Sequence, residues 1–448
     1  MKVAVVGAGI SGLGAAYALR QHHDVTLYEA APQPGGHTHT LDVTLDGMTF
    51  PVDTGFLVYN ERTYPLLIQL FADLAIPTTK SDMSFGLSVR RSNGSSLEWA
   101  GTSLDTVFAQ RRNLYSPRFI SMLRDLLRFN KHATRIALAD SYRDVSRDVP
   151  NVALSLGEFL NLHRYGKPFR DWYLLPMAAA IWSCPVATML DYPITTFARF
   201  CHNHGLLQIN DRPQWFTVKG GARQYVTKIC DAIRDVRTGD AVSAVTRASS
   251  APHVIVKSRG GTDRYDQVVL ACHSDQALSL LKDADQDERS VIGEVRYEPN
   301  RAWLHTDLRL MPQNRKVWSS WNYLSHDERL AGNQPSVPAV SVTYLLNRLQ
   351  PLPFTTPLLL SLNPRIEPNP AKRIAQIEYS HPVFDRRAIA AQSRLGTIQG
   401  RRRVWFAGAW TGYGFHEDGL KSGLAVAGAI NRLGPRPDRV VASNTSIG

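Results

Sequence analysis

Cysteine is scarce in this 448-residue sequence, and its four cysteines are too far apart to form a metal-binding or redox pair. We therefore predict free thiols in a reducing cytoplasm, with neither a disulfide framework nor a metal site, for Cys184, Cys201, Cys230 and Cys272.

A long hydrophobic run is also missing. The longest uncharged apolar stretch, 172–182, has eleven residues including a proline, whereas a membrane-spanning helix needs about 20. We find no internal repeats and no targeting segment.

Acidic residues are outnumbered, because 39 acidic and 51 basic residues give a net charge of +12. A positive surface favours an anionic substrate, an anionic membrane or nucleic acid as partner. No signature of a DNA- or RNA-binding domain accompanies the charge, so we expect no nucleic acid partner. The length and the 44% hydrophobic content predict a globular enzyme of roughly two domains, each with a sizeable core.

The first thirty-six residues carry the most informative pattern. An apolar strand, 2–6, is followed by a GxGxxG turn, a helix, a second strand at 24–28 and then Glu29, which together form a βαβ unit that binds a dinucleotide. The glycines allow the pyrophosphate to approach the helix N-terminus. Glu29 is placed to accept hydrogen bonds from ribose hydroxyls and would repel a 2′-phosphate, which disfavours NADP. The turn consists of Gly7, Ala8, Gly9, Ile10, Ser11 and Gly12.

Later segments indicate a discontinuous α/β fold. We predict mostly helical structure from about 60 to 200, short strands between 300 and 365, a last strand at 404–409 and a helix beginning near Gly419. These segments suggest a Rossmann-like nucleotide domain with an inserted α+β substrate domain. The boundaries that we expect are 1–60, 205–295 and 400–433 for the first, 61–204 and 296–399 for the second, and a disordered tail at 434–448.

The order of these motifs resembles that of the flavin amine oxidase and phytoene desaturase superfamily over nearly the whole chain. The resemblance rests on 7–12 with Glu29, 35–37, 53–55, 219–221, 268–271 and 408–423. Within the superfamily, 180–183, 203–207, 321–323 and 412–419 are similar to bacterial flavoproteins associated with cyclopropane fatty acid synthase. They are also similar to the flavoprotein domain fused to plant cyclopropane synthases. Some members of the bacterial group are taken to desaturate methylated acyl chains.

The resemblance implies an amine oxidase-like fold with bound FAD. No cysteine follows Cys272, so the thioether that some amine oxidases form near the last motif is not possible and we expect noncovalent FAD. Where the family usually has an acidic residue, this chain has Ala409, so a side-chain hydrogen bond to the ribityl hydroxyls should be absent. Beyond the first turn and Glu29, the implied cofactor contacts are Ala30, Gly35, Gly36, His37, Thr54, Gly55, Phe56, Val242, Gly408, Ala409, Gly419 and Leu420.

The favoured function is an FAD-dependent oxidoreductase that desaturates or oxidises an acyl chain of a methylated or cyclopropanated membrane lipid. We expect the substrate to lose a hydride to flavin N5 and a proton to a base. The candidate catalytic residues are Tyr323, His416 and Glu417. Each has a structural alternative: Tyr323 suits a core strand, His416 suits a supporting hydrogen bond, and Glu417 suits a helix cap.

Two alternative functions remain open, and an NAD dehydrogenase is the least favoured. A flavin amine oxidase would oxidise amines, although no lysine can be placed near N5. A noncatalytic flavoprotein would act as the partner of a lipid methyltransferase.

A basic amphipathic helix is predicted after Ser116 and Pro117. Its cationic stripe consists of Arg124, Arg128, Lys131 and Arg135, with Phe119, Leu123, Leu126 and Leu127 on the opposing side. The helix either packs on the core with a solvated charged face or binds the anionic inner surface of a membrane, where each charge would contribute about 1 kcal/mol.

Overall fold

The computed structural model describes residues 1–90, 94–139, 154–182, 185–209, 211–248, 252–326 and 341–434. The tail that we expected to be disordered lies outside these residues after Gly434, as do Ser183 and Cys184. The domain boundaries given above stay a prediction.

A parallel sheet of five strands contains the βαβ unit. Its order is Asp235–Arg237, Asp24–Tyr28, Lys2–Val6, Gln267–Leu270 and Val404–Phe406. The central strands are almost wholly buried, as in a parallel sheet covered on both faces. The strands come from the start, middle and end of the chain, which is the discontinuous Rossmann-like arrangement that the motifs predict.

Two helices next to this sheet pack against each other: the first helix, Ile10–Leu19, and the last helix, His416–Arg432. Their close approach depends on Gly423, because a Cβ added there would overlap the carbonyl oxygen of Ser11. The packing joins the two ends of the chain, and it places the start of the last helix beside the glycine-rich turn.

A second, larger sheet has seven strands. Its order is Arg373–Val383, Arg296–His305, Leu359–Leu362, Val342–Leu345, Trp321–His326, Phe85–Arg90 and Ser96–Ala100. All its pairings are antiparallel except that between Trp321–His326 and Phe85–Arg90.

Two strands of the large sheet lie within the region from 60 to 200, whose described residues are otherwise mostly helical as expected. Phe85–Arg90 and Ser96–Ala100 join the sheet, and Thr78–Ser81 is also a strand. Phe85–Arg90 pairs locally with Ser96–Ala100 and also with Trp321–His326, more than two hundred positions away, and only the second contact is one that local propensity does not encode. Of the short strands expected between 300 and 365, one begins only at Trp321, because Arg315–Val317 is a 3-10 turn capped by the Asn314 side chain.

The remaining strands form three small antiparallel sheets. They pair Thr40–Leu45 with Met48–Asp53; Tyr59–Asn60 and Thr78–Ser81 with Trp215–Val218; and Val242–Arg247 with Val254–Ser258 and Gly261–Tyr265. The other helices described are Pro65–Asp73, Leu104–Val107, Pro117–Leu138, Leu156–Leu162, Lys167–Phe169, Leu175–Trp182, Val186–Leu190, Ile194–Asn203, Arg223–Asp231, Ser274–Leu280, Gln286–Ile292, Leu346–Leu349 and Arg386–Arg394.

The predicted basic helix is present as Pro117–Leu138, and the Ser116 hydroxyl accepts a hydrogen bond from the Phe119 amide at 3.4 Å. One assignment is corrected: Leu127 is 54% exposed and shares the outer face with Arg124 and Lys131. Arg128 turns inward and pairs with the buried Asp125 carboxylate at 3.1 Å. Within the described ranges, no helix is both long and apolar enough to cross a membrane.

Candidate functional site

A cavity of about 660 Å³ lies between the parallel sheet and the large sheet, within the usual volume range for ligand pockets. The parallel sheet contributes residues at the carboxyl ends of its strands, the position at which such sheets bind ligands. Tyr28 ends one strand and Glu29 follows it, Ala271 follows another strand, and Trp321 and Leu360 come from the large sheet.

Most of the predicted cofactor contacts line this cavity. They are Gly7, Gly9, Ile10, Ser11, Glu29, Ala30, Gly36, His37, Thr54, Gly55, Phe56, Val242, Gly408 and Ala409. The motifs that carry them are separated by hundreds of residues, yet the fold brings them to one wall. The expected roles of these residues toward FAD stay predictions.

Three residues of the two glycine turns support the wall without lining it. Ala8 donates its backbone N–H to the Glu29 carboxylate at 2.9 Å, and Gly35 donates to the Ala8 carbonyl at 2.8 Å. Gly12 lies within the first helix, where a Cβ would overlap the carbonyl oxygen of Gly7. These residues therefore hold the two turns together.

Gly9 differs from Gly12 in what surrounds it. A Cβ added at Gly9 would meet no protein atom within 4 Å, although Gly9 lines the cavity. The fold therefore leaves open space where a side chain would stand, directly before the N-terminus of the first helix. A bound phosphate fits this position, because a helix N-terminus presents free amides and a positive dipole end to an anion.

His37 provides a second indication of a polar ligand. Its ring is buried beside Gly36 in the cavity wall, and Nε2 has no hydrogen-bond partner among the described residues. Burial lowers the pKa of His37 well below its usual value, so the imidazole is neutral. Buried polar atoms are nearly always satisfied, and a cofactor oxygen or hydroxyl near Gly36 would satisfy this one.

Glu29 is the carboxylate that the βαβ pattern predicts at the end of the second strand. It lines the cavity and accepts backbone N–H groups of Ala8 and Ala31, each at 2.9 Å. These bonds fix the carboxylate while leaving it lone pairs for ribose hydroxyls. Three features together fit the phosphates and ribose of a bound FAD: the open space at Gly9, the unpaired Nε2 of His37 and the carboxylate of Glu29.

Only one of the three predicted catalytic residues lines the cavity. His416 stacks on Phe56 with ring centres 3.9 Å apart, and its Nε2 lies 3.0 Å from the Thr38 hydroxyl and 2.9 Å from the Tyr225 hydroxyl. Burial lowers the pKa of His416 to about 3, so the ring is neutral. Because Nε2 is already engaged by two hydroxyls, His416 is better placed to support the wall than to accept a proton.

Glu417 and Tyr323 lie elsewhere. The Glu417 carboxylate accepts the backbone N–H groups of Leu66 and Leu67 at 2.9 and 3.0 Å and so caps the helix Pro65–Asp73. Tyr323 is buried in the large sheet, and its neighbour Trp321 lines the cavity instead. Neither residue is among the described residues that line the cavity, and their catalytic roles stay predictions.

The start of the last helix also differs from expectation. The helix begins at His416 rather than near Gly419. The Gly419 amide is already bonded to the Phe415 carbonyl at 3.0 Å, and a Cβ at Gly419 would meet the Ile10 side chain at 2.8 Å. Leu420 is fully buried. Gly419 and Leu420 thus pack against the first helix and do not present their amides to the cavity.

Part of the cavity lining, contributed by nearby helices and loops and by the large sheet apart from Tyr297 and residues 379–382, holds no described charged residue, and we call it the apolar wall. Its members are Leu57, Val58, Met83, Ile181, Phe200, His204, Leu206, Trp215, Ala302, Trp321, Tyr344, Leu360, Leu362 and Phe415. The only described carboxylates that line the cavity are Glu29 and Asp240, which belong to the nucleotide side, and no described lining residue is a lysine or arginine.

His204 is the only imidazole of the apolar wall as described. Its Nδ1 lies 3.0 Å from the Phe200 carbonyl oxygen, and its ring stacks on the Phe200 ring with centres 4.0 Å apart. A carbonyl only accepts, so Nδ1 carries the hydrogen and Nε2 carries the lone pair. Burial lowers the pKa of His204 to about 4, which keeps the ring neutral at physiological pH.

Sequence reasoning assigned no site role to several residues of the cavity. His204 lies in the motif 203–207 but received no site role, and Tyr379 and His381 gave no local signal, because they come from a strand of the large sheet. His273 could have been identified, since it follows the predicted parallel strand that ends near Leu270, and residues at such ends commonly face ligands. Its ring stacks on Tyr297 with centres 4.2 Å apart.

Comparison with known families gives a match over most of the chain. The profile of the family described as flavin containing amine oxidoreductase matches residues 10–341, which is more than half of the sequence. The match includes the glycine turn from Ile10 onward, the residues around Thr54 and Val242, and four of the seven strands in the large sheet.

A curated relative matches only in part. Carotenoid phi-ring synthase of Chlorobaculum tepidum is 26% identical over 178 residues, which is 38% of this chain and 23% of that protein. The chain therefore spans less than a quarter of that relative's length.

Solved structures resemble the whole chain. Putrescine oxidase bound to putrescine gives a TM-score of 0.68 at 16% identity, covering 96% of this chain and 99% of that one. The fatty acid isomerase of P. acnes that produces CLA gives a TM-score of 0.65 at 15% identity, covering 96% of this chain and 98% of that one. Cyclohexylamine oxidase from Brevibacterium oxydans gives a TM-score of 0.63 at 18% identity, covering 96% of this chain and 99% of that one. At these identities the likeness shows a shared amine oxidase-like fold.

Proposed function

The chain belongs to the flavin containing amine oxidoreductase family and is an FAD-dependent oxidoreductase, and from this premise we propose that it desaturates or oxidises an acyl chain of a membrane lipid. Bound FAD supplies the two-electron acceptor. Because such chains lie in a bilayer, the proposal includes peripheral association with the membrane. We further propose that the chain is methylated or cyclopropanated, on the resemblance to flavoproteins associated with cyclopropane fatty acid synthase.

The observation that carries the substrate proposal is the absence of charge in the apolar wall. Burying an unpaired ion costs several kcal/mol or more. A free fatty acid carboxylate would find no lysine or arginine among the described lining residues. An ammonium group would find no carboxylate on this side, because Glu29 and Asp240 line the nucleotide side. A neutral hydrocarbon segment, such as an esterified acyl chain, requires no charged partner.

The comparisons are compatible with this substrate class. A protein named as a fatty acid isomerase has the same fold, and a carotenoid synthase matches part of the sequence. Both names refer to long apolar molecules. The amine oxidases of similar fold are named for amines, so the substrate has to be decided by experiment.

We assign the proton acceptor to His204 Nε2. A dehydrogenation removes a proton as well as a hydride, and His204 is the only imidazole among the described residues of the apolar wall. His381, which lines the cavity on a strand of the large sheet, has Nδ1 within 2.9 Å of the Asn300 amide nitrogen and so already accepts a hydrogen bond. The bond from Nδ1 to the Phe200 carbonyl holds the ring orientation. The phenols of Tyr64 and Tyr344 are poor acceptors, because burial raises the pKa of each far above neutrality.

Anaerobic bleaching of the bound flavin tests the proposal. The purified yellow protein is mixed with phospholipids that carry methylated, cyclopropanated or unmodified acyl chains, with free fatty acids and amines in parallel. We expect bleaching with an esterified lipid and a desaturated product of matching mass. The His204→Gln variant serves as the control, because it lacks the proposed proton acceptor and keeps every residue of the nucleotide side.

Three outcomes would contradict the proposal in different ways. Bleaching by putrescine or cyclohexylamine, but not by lipids, would establish an amine oxidase. Bleaching by free fatty acids alone would show that a carboxylate is recognised despite the uncharged wall. A flavin that no lipid and no amine reduces would favour a noncatalytic flavoprotein that assists a lipid methyltransferase.

A further inference from the structure

The outer face of the basic helix, Pro117–Leu138, combines exposed apolar and cationic side chains. Along the face, Ile120, Arg124, Leu127, Lys131 and Leu138 follow each other at helical spacing, and Ile120, Leu127 and Leu138 are 44%, 54% and 63% exposed. We call these five residues the outer stripe. A solvated helix face normally carries polar residues at such positions.

No acidic residue interrupts the outer stripe. The only carboxylate of this helix is Asp125, which is 4% exposed and faces inward. It accepts the Gly166 amide at 2.8 Å and pairs with Arg128. The exposed charge of the face is therefore positive only.

The segment before the helix adds exposed apolar side chains, while its exposed Asp105 carboxylate pairs with Arg111 and Lys316. In the 3-10 turn Arg111–Tyr115, Leu114 is 45% and Tyr115 is 87% exposed, and Leu104 just upstream is 78% exposed. Half of the twelve large apolar side chains that are exposed in the described parts of the chain lie between residues 104 and 138. Such a concentration marks an interaction surface rather than scattered exposure.

We propose that residues 104–138 form a surface that binds an anionic lipid bilayer. Cationic groups are attracted to anionic headgroups, and neighbouring aliphatic and aromatic side chains enter the acyl boundary, which is how interfacial helices bind. The net charge of +12 acts in the same direction. A nucleic acid or another polyanion would use the cations but would leave the exposed isoleucine, leucine and tyrosine side chains in water.

The position of this surface suits the cavity. The buried face of the basic helix packs against the helix Ile194–Asn203, where the rings of Phe129 and Phe197 lie 6.3 Å apart between centres. That neighbouring helix carries Phe200 of the apolar wall, with His204 directly after it. The bilayer surface therefore lies one helix layer away from the cavity. Membrane binding by this surface deepens and rests on the peripheral association included in the proposed function, whereas the identity of the substrate is tested separately.

Vesicle flotation tests the proposal with the FAD-loaded full chain. Vesicles contain phosphatidylcholine alone or an equal mixture with phosphatidylglycerol, at low and high salt. We expect binding to the anionic vesicles, weakened at high salt. Ile120→Glu with Leu127→Glu should weaken it at least about tenfold, and Arg124→Glu with Lys131→Glu should do the same, because each cation contributes about a fivefold factor near an anionic surface.

Matched controls use exposed residues outside this surface. Ile366→Glu changes an isoleucine that is 56% exposed, and Arg365→Glu with Lys372→Glu makes the same charge change on exposed positions. The controls should bind vesicles as the wild type does. Retained yellow FAD and an unchanged Tm establish that each variant is folded.

The proposal is overturned if the wild type does not float with anionic vesicles, or if the stripe variants bind as well as their controls. It is also overturned if only the Arg124→Glu and Lys131→Glu variant loses vesicle binding and heparin competes with the vesicles. That result would identify a polyanionic macromolecule as the partner. Turnover of detergent-dispersed lipid, measured in parallel, separates this outcome from failure of the substrate proposal.

Discussion

Replacing Gly9 with alanine should separate cofactor binding from folding. The Gly9 backbone has φ of −74° and ψ of 177°, which alanine adopts without strain, and the new methyl would meet no protein atom within 4 Å. A compatible Gly→Ala change raises the free energy of unfolding by about 0.4–1 kcal/mol, because the unfolded chain loses freedom. The apo-protein should therefore be unchanged or slightly more stable.

Binding of FAD should respond in the opposite direction. The methyl would occupy the space that we assign to the pyrophosphate, and inserting a methyl into a packed contact costs about 1–3 kcal/mol. This corresponds to an increase of about 5- to 150-fold in the Kd for FAD. The assay titrates apo-protein with FAD by flavin fluorescence, alongside urea unfolding of the apo-protein.

Two other glycines act as controls. Gly396→Ala also introduces a methyl that meets nothing within 4 Å, but Gly396 lies outside the cavity lining, so the Kd should not change. Gly12→Ala should destabilise the apo-protein itself, because its Cβ would overlap the Gly7 carbonyl. An unchanged Kd in Gly9→Ala would refute the placement of the pyrophosphate, and a loss of apo stability would show that Gly9 serves the fold.

Three further predictions concern single side chains. His204→Gln should lower kcat by about 10²–10⁴-fold, the usual contribution of a general base, with an unchanged Kd for FAD; full kcat would remove His204 from the mechanism. Glu417→Ala should lower the free energy of unfolding by about 1 kcal/mol through loss of a helix cap, with kcat retained, whereas a catalytic Glu417 would lose turnover without losing stability. Burial lowers the pKa of His305 from 6.5 to about 4, so the unfolded state takes up the proton first and stability is lost as the pH falls from about 6.5 to 4. His305→Asn should reduce that loss of unfolding free energy by up to about 3 kcal/mol, as measured by urea unfolding at each pH. An identical pH dependence in the variant would show that His305 does not cause the loss.

The nucleotide half of the site was predictable because its signals are local. A strand, a glycine turn, a helix and an acid within thirty-six residues specify one βαβ unit, and the structure places Gly7, Gly9 and Glu29 in one wall as expected. Gly36 and Val242 were located through the order of motifs. Each position depends on backbone geometry that a few neighbouring residues determine.

The large sheet and the catalytic side were less predictable because their contacts are long-range. Phe85–Arg90 pairs with the neighbouring Ser96–Ala100 and also with Trp321–His326, more than two hundred residues away. Glu417 and His416 are adjacent in sequence, yet one caps a distant helix and the other faces the cavity. Which of the two residues faces the cavity depends on the elements that pack against each side of the last helix.

The sequence by itself determined the nucleotide fold, the family and the basic helix, since repeating patterns and short motifs encode them locally. Only the tertiary structure decided that the apolar wall carries no charge, that His204 is its only described imidazole, and that Leu127 shares an exposed face with Arg124 and Lys131. The physical reason is the same in each case: burial and exposure depend on which distant elements cover a side chain, and they set its charge state and its available contacts.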